Sequence, residues 1–509
     1  MSQARHDRVS TLPPAALARA DAPQVVTGRS LVRSRILRRL LLGAVGLLAL
    51  VGLAAAIGNR DASLDGDAGT TLVVFVLAVW AWVFTRLDDT YVALGAAVAL
   101  VLAGVISTDT FFATLGDETV WLLLGAFVIA AGVTRSGLAD RAAAFMVAPA
   151  RSPRQLVHLV TAALVVTTFA VPSTSGRAAL VLPVFLALAR TLGHLPQLVR
   201  ALAVLFPTVI LLTAVGSLLG AGAHLVTSQV LLTATGEGIS FVQWLILGLP
   251  LAIVSAHVSA EIVLALFADR ATRRARISLE VHDFARPGAP PVTGPLSVAE
   301  SRAALLVATA VGLWCTEPLH GIHPAIVALL GALVATSPRL GAVPLGEALK
   351  SAPWSLLLFL AATLALGSAL TSSGAATWLA EGALGGFSGA GAAVPFLVVV
   401  IIASTALHLV VQSRSARSSV LIPIVVALAP AAGVDPAAAA FASTAAAGFC
   451  HTLPASAKPV ALFARVEEVE TFAPRDLLRL SAVLAPVTAG LVLLFSLLVW
   501  PVLGLSLTP

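Results

Sequence analysis

Residues 173–184 read Ser-Thr-Ser-Gly-Arg-Ala-Ala-Leu-Val-Leu-Pro-Val, and residues 413–424 read Ser-Arg-Ser-Ala-Arg-Ser-Ser-Val-Leu-Ile-Pro-Ile. Both are Ser-x-Ser, a small residue, Arg, five residues, then Pro followed by Val or Ile, at an offset of 240. The match continues from Ala187-Leu188-Ala189 and Ala427-Leu428-Ala429 to Pro196 and Pro436. Upstream, Thr134-Arg135-Ser136-Gly137 answers Thr371-Ser372-Ser373-Gly374 at 237, and Trp121 answers Trp354 at 233. Offsets that drift so little over so long a stretch mark two copies of one unit.

The unit is built for a membrane. Hydrophobic residues make up 58% of the 509 and charged residues 11%, where a soluble chain carries about a quarter charged residues. Apolar runs of about 17 to 25 residues recur throughout, the length of a membrane-crossing helix. The expected fold is an all-α polytopic membrane protein. The net charge of +6 is not a nucleic-acid signal, because the arginines sit between apolar spans and there set topology. The two cysteines, Cys315 and Cys450, lie in separate apolar runs and imply no disulfide.

Charge then divides the chain. Residues 1–34 form a basic cytosolic tail. A first transmembrane helix lies within 35–69, with Arg33, Arg35, Arg38 and Arg39 before it and Asp61, Asp65 and Asp67 after it, which puts the N-terminus in the cytoplasm. A first repeat covers 70–267, a basic, proline-rich cytosolic linker covers 268–302, and a second repeat covers 303–509. Segment 135–154 holds Arg135, Arg141, Arg151 and Arg154, whereas its counterpart, 374–392, holds neither Lys nor Arg. The two copies are therefore expected on opposite sides, as inverted-topology repeats. The count is about eleven crossings, in the inner (plasma) membrane of the cell. The stretch 108–134, interrupted at Gly116-Asp117-Glu118-Thr119, and the stretch 351–373 read as re-entrant hairpins or as interrupted spans.

The motif itself suits an anion. Ser173, Thr174 and Ser175 follow Pro172 and precede an apolar run, as helix N-caps do. A helix N-terminus inside the bilayer offers free N–H groups and the positive end of a dipole. Arg177 and Arg417 each stand four residues after the first serine, with no acid within ten residues, and Arg414 adds a third cation. Arginine at that depth marks a functional site by default, and its planar fork fits carboxylate, sulfate or phosphate. The bland reading is that the hydroxyls only cap and the arginines snorkel. Repetition at matched places favours a site.

These copies resemble the paired motifs of the divalent anion:sodium symporter (DASS) family, which handles di- and tricarboxylates and sulfate and carries S-N-T-A-T-A-A-x-x-L-P-I twice. The resemblance covers about residues 70–509. Val120–Gly137 and Pro353–Gly374 are similar to that family's re-entrant hairpins. It implies a homodimer whose protomers hold a scaffold part and a moving part that works by alternating access. It places sodium and substrate carboxylates at Ser173, Thr174, Ser175, Ser413, Arg414 and Ser415. The chain departs from the pattern at both Asn positions, now Thr174 and Arg414, and at both second-Thr positions, now Arg177 and Arg417. The family's later T-P-P-N is answered by Thr227-Ser228-Gln229 and Ala457-Lys458-Pro459. An arginine offers donors only, so the expected coupling needs no sodium, a tethered guanidinium supplying the charge.

Other polar residues in apolar runs are His224 and His451, which could line the cavity and carry a proton. His257 and Glu261, spaced i, i+4, read as a proton site or a local pair, and His408 is given no role. Neither H-E-x-x-H nor G-x-S-x-G occurs, which leaves no metal ligand set and no nucleophile to support a membrane-embedded enzyme. The leading expectation is a secondary transporter of a small anion, without cofactor. A cation/proton exchanger or an arsenite-type transporter is the alternative within the same wider group.

Overall fold

The computed structural model describes residues 66–508, apart from 86, 285–292, 379–390, 455, 465 and 467–468, together with Gly43 and Gly46. The expected basic tail, the first transmembrane helix and most of segment 374–392 lie outside the described residues.

The described chain is helical, without strands. Its first half contains α1 (Gly66–Phe84), α2 (Asp89–Leu102), α3 (Glu118–Ser136), α4 (Leu138–Val147), α5 (Pro153–Ala170), α6 (Thr174–Thr191), α7 (Pro196–Thr213), α8 (Gly222–Thr235) and α9 (Phe241–Phe267). The second contains α10 (Val298–Cys315), α11 (Pro324–Ala335), α12 (Trp354–Ser372), α13 (Ala393–Ala406), α14 (Arg414–Leu428), α15 (Pro436–Ala446) and α16 (Pro474–Leu494). Among the described residues, seven helices are long and apolar enough to cross a membrane, and three shorter apolar helices join them. The protein is a polytopic helical membrane protein.

Polar letters start these helices rather than interrupt them. Asp117 accepts the Thr119 N–H and so caps α3, with Glu118 in its first turn, where the helix dipole favours an acid. Ser297 and Glu300 form a reciprocal capping box on α10. The interruption at Gly116–Thr119 is therefore the break before a helix. Val120–Gly137 and Pro353–Gly374 are not hairpins: each is almost wholly one unbroken helix, α3 and α12.

The two halves interlock in reciprocal pairs. Helix α2 of the first half packs on α12 of the second, and α11 of the second packs on α3 of the first. Likewise α8 packs on α14, while the short helix Lys458–Phe463 packs on α6. Small residues let the α3–α11 pair approach closely. A Cβ added at Gly125 would fall 2.7 Å from the Ala328 backbone, and one at Gly132 would fall 3.3 Å from Ala335 Cβ. Helix α7 is the axis of the molecule: 94% of its span is buried inside the protein, against 22% for α10. Helix α7 therefore lies in the protein interior, and α10 lies at its periphery.

The arginines of segment 135–154 have protein partners. Arg141 pairs with Glu300 at 3.3 Å and donates to the carbonyls of Gly294 and Pro295. Arg154 donates to Glu261, and the Ile277 N–H reaches the Arg151 carbonyl. The described ends of the linker thus dock on this basic segment.

Candidate functional site

Both motif copies do the same local work. Ser173 Oγ accepts the Gly176 N–H at 3.2 Å, and Ser413 Oγ accepts the Ala416 N–H at 3.3 Å. Each serine has extended backbone and caps a helix, α6 or α14, that carries an internal proline, Pro183 or Pro423. Thr174, Ser175, Arg414 and Ser415 stand half-buried in the first turns. Here, rather than in α3 and α12, the membrane helices break.

The matched arginines differ. Arg177 is fully buried. Its Nε donates to Thr167 Oγ1 at 3.0 Å, its Nη1 to the Ile210 carbonyl at 3.0 Å, and its Nη2 to the Leu164 carbonyl and Thr213 Oγ1, both at 2.7 Å. All three nitrogens are satisfied, by neutral oxygens from α5 and α7. Arg417 is also fully buried, yet Nε, Nη1 and Nη2 have no hydrogen-bond partner among the described residues. Arg414 donates weakly, at 3.3 Å, to the Leu211 carbonyl, and its Nε and Nη2 are unpartnered.

Neighbouring helices explain the difference. Pro196 starts α7 and Pro436 starts α15, so the copies are in register at 240. Helix α7 runs to Thr213, whereas α15 stops at Ala446, the counterpart of residue 206. The last-turn carbonyls of a helix lack intrahelical partners and form its negative end. At the end of α7 the Ile210 carbonyl accepts from Arg177 and the Leu211 carbonyl from Arg414 of the second copy. In the second copy the chain has already left the helix, and Cys450, His451 and Thr452 stand there instead.

The structure gathers several side chains at this second copy. Arg414 and Arg417 both lie within electrostatic reach of His451, and Arg417 within reach of His408. His408 Nδ1 faces the Thr405 carbonyl, so its Nε2 is the acceptor for Thr452 Oγ1 at 2.7 Å when the ring is neutral. His451 is buried, takes the Cys450 N–H on Nδ1 and packs on Phe449. Arg414 lies against Gly448, where an added Cβ would come 3.2 Å from Nη2. Asp89, at the start of α2, lies close to Ser413 and within electrostatic reach of Lys458. Across the halves, a Cβ at Gly222 would come 3.2 Å from Ser415 Oγ.

The first half's counterparts are differently placed. His224 is buried, stacked on Trp244 with centroids 4.9 Å apart, and its Nδ1 donates to the Ser217 carbonyl. Thr227 is hydrogen-bonded to Thr444 at 2.6 Å, and Gln229 to Asp117 at 3.0 Å. A shallow cleft beside Pro172 is lined mostly by apolar groups such as Ile129, Val307 and Trp314, with the hydroxyls of Thr168 and Ser217 and no Arg, Lys or His side chain among its lining residues. His257 and Glu261 belong to a larger cluster: His158 of α5 bonds both, and Arg154 donates to Glu261. Among the described residues no group of three or more His, Cys, Asp or Glu side chains could hold a metal ion. Asp89 was not singled out from the sequence, and His408 was given no role there. For His408 the available signal was its position five residues before the second motif.

Known proteins agree with this frame. The chain is 29% identical over 325 residues to a "Membrane protein" of Cupriavidus necator, covering 60% of this chain and 60% of that protein's own length. It is 24% identical over 431 residues to the sodium-dependent dicarboxylate transporter SdcS of Staphylococcus saprophyticus, covering 76% of this chain and 79% of the relative. It is 25% identical over 329 residues to the citrate/succinate antiporter of Escherichia coli K12, covering 62% and 65%. The Alcanivorax borkumensis YdaH transporter shares the fold, with a TM-score of 0.55 over 86% of this chain and 100% of that one at 16% identity. The citrate transporter family model (CitMHS) matches residues 75–446. That span is most of the chain and includes both motif copies, so the resemblance drawn from those motifs holds and the chain belongs to the citrate transporter family.

Proposed function

We propose that the protein is a secondary carrier of small carboxylates, of the citrate and dicarboxylate class, and that the carboxylate binds at the second motif copy. One observation carries this reading: all three guanidinium nitrogens of Arg417, and Nε and Nη2 of Arg414, are buried without a hydrogen-bond partner. A buried, unpaired charge costs several kcal/mol, and a carboxylate taken bidentately by an arginine fork removes that cost. Ser413, Ser415 and the free N–H groups of α14 complete an anion site, and Ser173, Thr174 and Ser175 supply the matching helix end of the first copy.

The carrier works by alternating access between two inverted repeats, and the reciprocal pairing of α2 with α12 and α3 with α11 supports that relation. It sits in the plasma membrane as a homodimer with its N-terminus in the cytoplasm. Transport needs no sodium, because guanidinium groups stand where neutral sodium ligands would be needed. Coupling is by anion exchange, or by a proton carried at a histidine, His224 or His451. Uptake of labelled citrate and succinate into proteoliposomes tests this, with potassium on both sides and then with a sodium gradient. Uptake in potassium, with a stabilising thermal shift by the same anions in detergent, is the expected result. Uptake that appears only with sodium overturns the sodium-free reading, and no uptake of either anion overturns the substrate class.

A further inference from the structure

Two of the buried polar atoms without a hydrogen-bond partner belong to histidines, His224 Nε2 and His451 Nε2. Both rings lie within electrostatic reach of Arg414. Their neighbours give the two free atoms opposite polarity. His224 Nδ1 stands 2.9 Å from the Ser217 carbonyl. A carbonyl oxygen only accepts, so Nδ1 carries the proton and Nε2 of the neutral ring presents a lone pair. His451 Nδ1 accepts the Cys450 N–H at 3.3 Å, so there Nε2 carries the proton. A second proton on His224 would bury an imidazolium beside a guanidinium, a cost that the neutral ring avoids. The His224 ring is also held in place. It stacks on Trp244, whose own Nε1 donates to the Val215 carbonyl at 2.9 Å. Two residues before it, Gly222 approaches Ser415 across the halves, and α8 packs along α14.

An acceptor thus stands near a site whose charged groups, Arg414 and Arg417, are donors only. An ionised carboxylate offers this acceptor no proton, whereas a hydroxyl on the same carbon chain does. We propose that His224 selects hydroxy-carboxylates, its Nε2 accepting the hydroxyl proton of a substrate whose carboxylate is held at Arg414. This rests on the carrier reading above and adds the chemical class of the substrate. A carboxylate without the hydroxyl leaves a buried acceptor unmet, and a site of that kind discriminates against the analogue that lacks the group.

The test uses anions that differ by one group: each enantiomer of malate against succinate, citrate against tricarballylate, and fluorosuccinate, whose fluorine cannot donate. Their affinities for the full-length protein in detergent are read from thermal shifts against concentration. Expected in wild type is an advantage of about 10-fold or more for the better malate over succinate and over fluorosuccinate, and for citrate over tricarballylate. His224→Asn keeps a donor for the Ser217 carbonyl and has no atom at the ε position, and should bring these advantages close to one. His224→Gln restores an ε oxygen and should keep part of them. Equal binding within the pairs in wild type overturns the proposal, and so does fluorosuccinate matching malate; neither result needs a variant. An advantage undiminished in His224→Asn also overturns it. Equal binding within the pairs leaves the carboxylate carrier standing, whereas no binding of any of these anions removes both readings.

Discussion

Arg177 and Arg417 sit in the same letters of two copies of one unit, both behind a capping serine and both fully buried. The first has four acceptors and the second has none among the described residues. A duplicated sequence therefore supplied two equal cations, and the surroundings assigned them different work. Two changes go with this difference: α7 reaches Thr213 while α15 ends at Ala446, and the hydroxyl acceptors Thr167 and Thr213 are answered at the 240 offset by Leu407 and Leu453. One copy closes around its arginine, and the other leaves it facing a cluster that includes Arg414, His408 and His451.

The strongest way to break this contrast is to remove both charges at nearly constant volume. Arg417→Met should reduce carboxylate uptake by about 30- to 1000-fold, from losing about 2–4 kcal/mol of charge-paired binding. It should also raise the melting temperature in the absence of substrate, because an unpaired buried charge has gone. Arg177→Met should do the opposite to stability, lowering it by about 3 kcal/mol as buried acceptors lose their donor. If the two substitutions moved the melting temperature in the same direction, the division of roles would be lost.

Smaller changes sharpen it. Thr213→Val takes one oxygen from Arg177 and should cost about 1–2 kcal/mol in a denaturation experiment, with uptake kinetics little changed. Thr452→Val, at the second copy, should do the reverse: a modest loss of stability and an altered pH profile of uptake, since His408 Nε2 loses its donor. Gly448→Ala sets a methyl 2.9 Å from the Ala445 carbonyl and 3.2 Å from Arg414 Nη2, and should cost some stability as well as raise the KM for succinate by a few fold. A change confined to kcat would mean that Arg414 does not meet the bound anion.

Much of this frame was legible in the letters. Composition shows the membrane, the 240-residue repeat shows the duplication, and Ser173 and Ser413 are caps by their spacing to the apolar runs. The hairpins were misplaced for a local reason: Asp117 and Glu118 look like an interruption, but an acid in the first turn begins a helix. The fate of the arginines was illegible for a non-local one. Nothing within either motif tells how far α7 or α15 extends, or that Thr167 of α5 and Thr213 of α7 will bring their oxygens to Arg177. Asp89 comes close to Ser413 from the opposite half of the chain, a proximity that periodicity does not encode.

The close seam between α3 and α11 has a consequence in time. Gly125 and Gly132 are shaped for Ala328 and Ala335, each translated 203 residues later. At about 5–20 residues per second, α3 waits roughly 10 to 40 seconds for its mate. In that interval its glycine face has no fixed neighbour except lipid or earlier helices, and α2 waits likewise for α12. The first half can insert as it is made, but its outer helices acquire their final neighbours only when the second half arrives. Expressed alone, the first half should therefore be inserted yet unusually open to degradation, and co-expression of the separate second half should protect it.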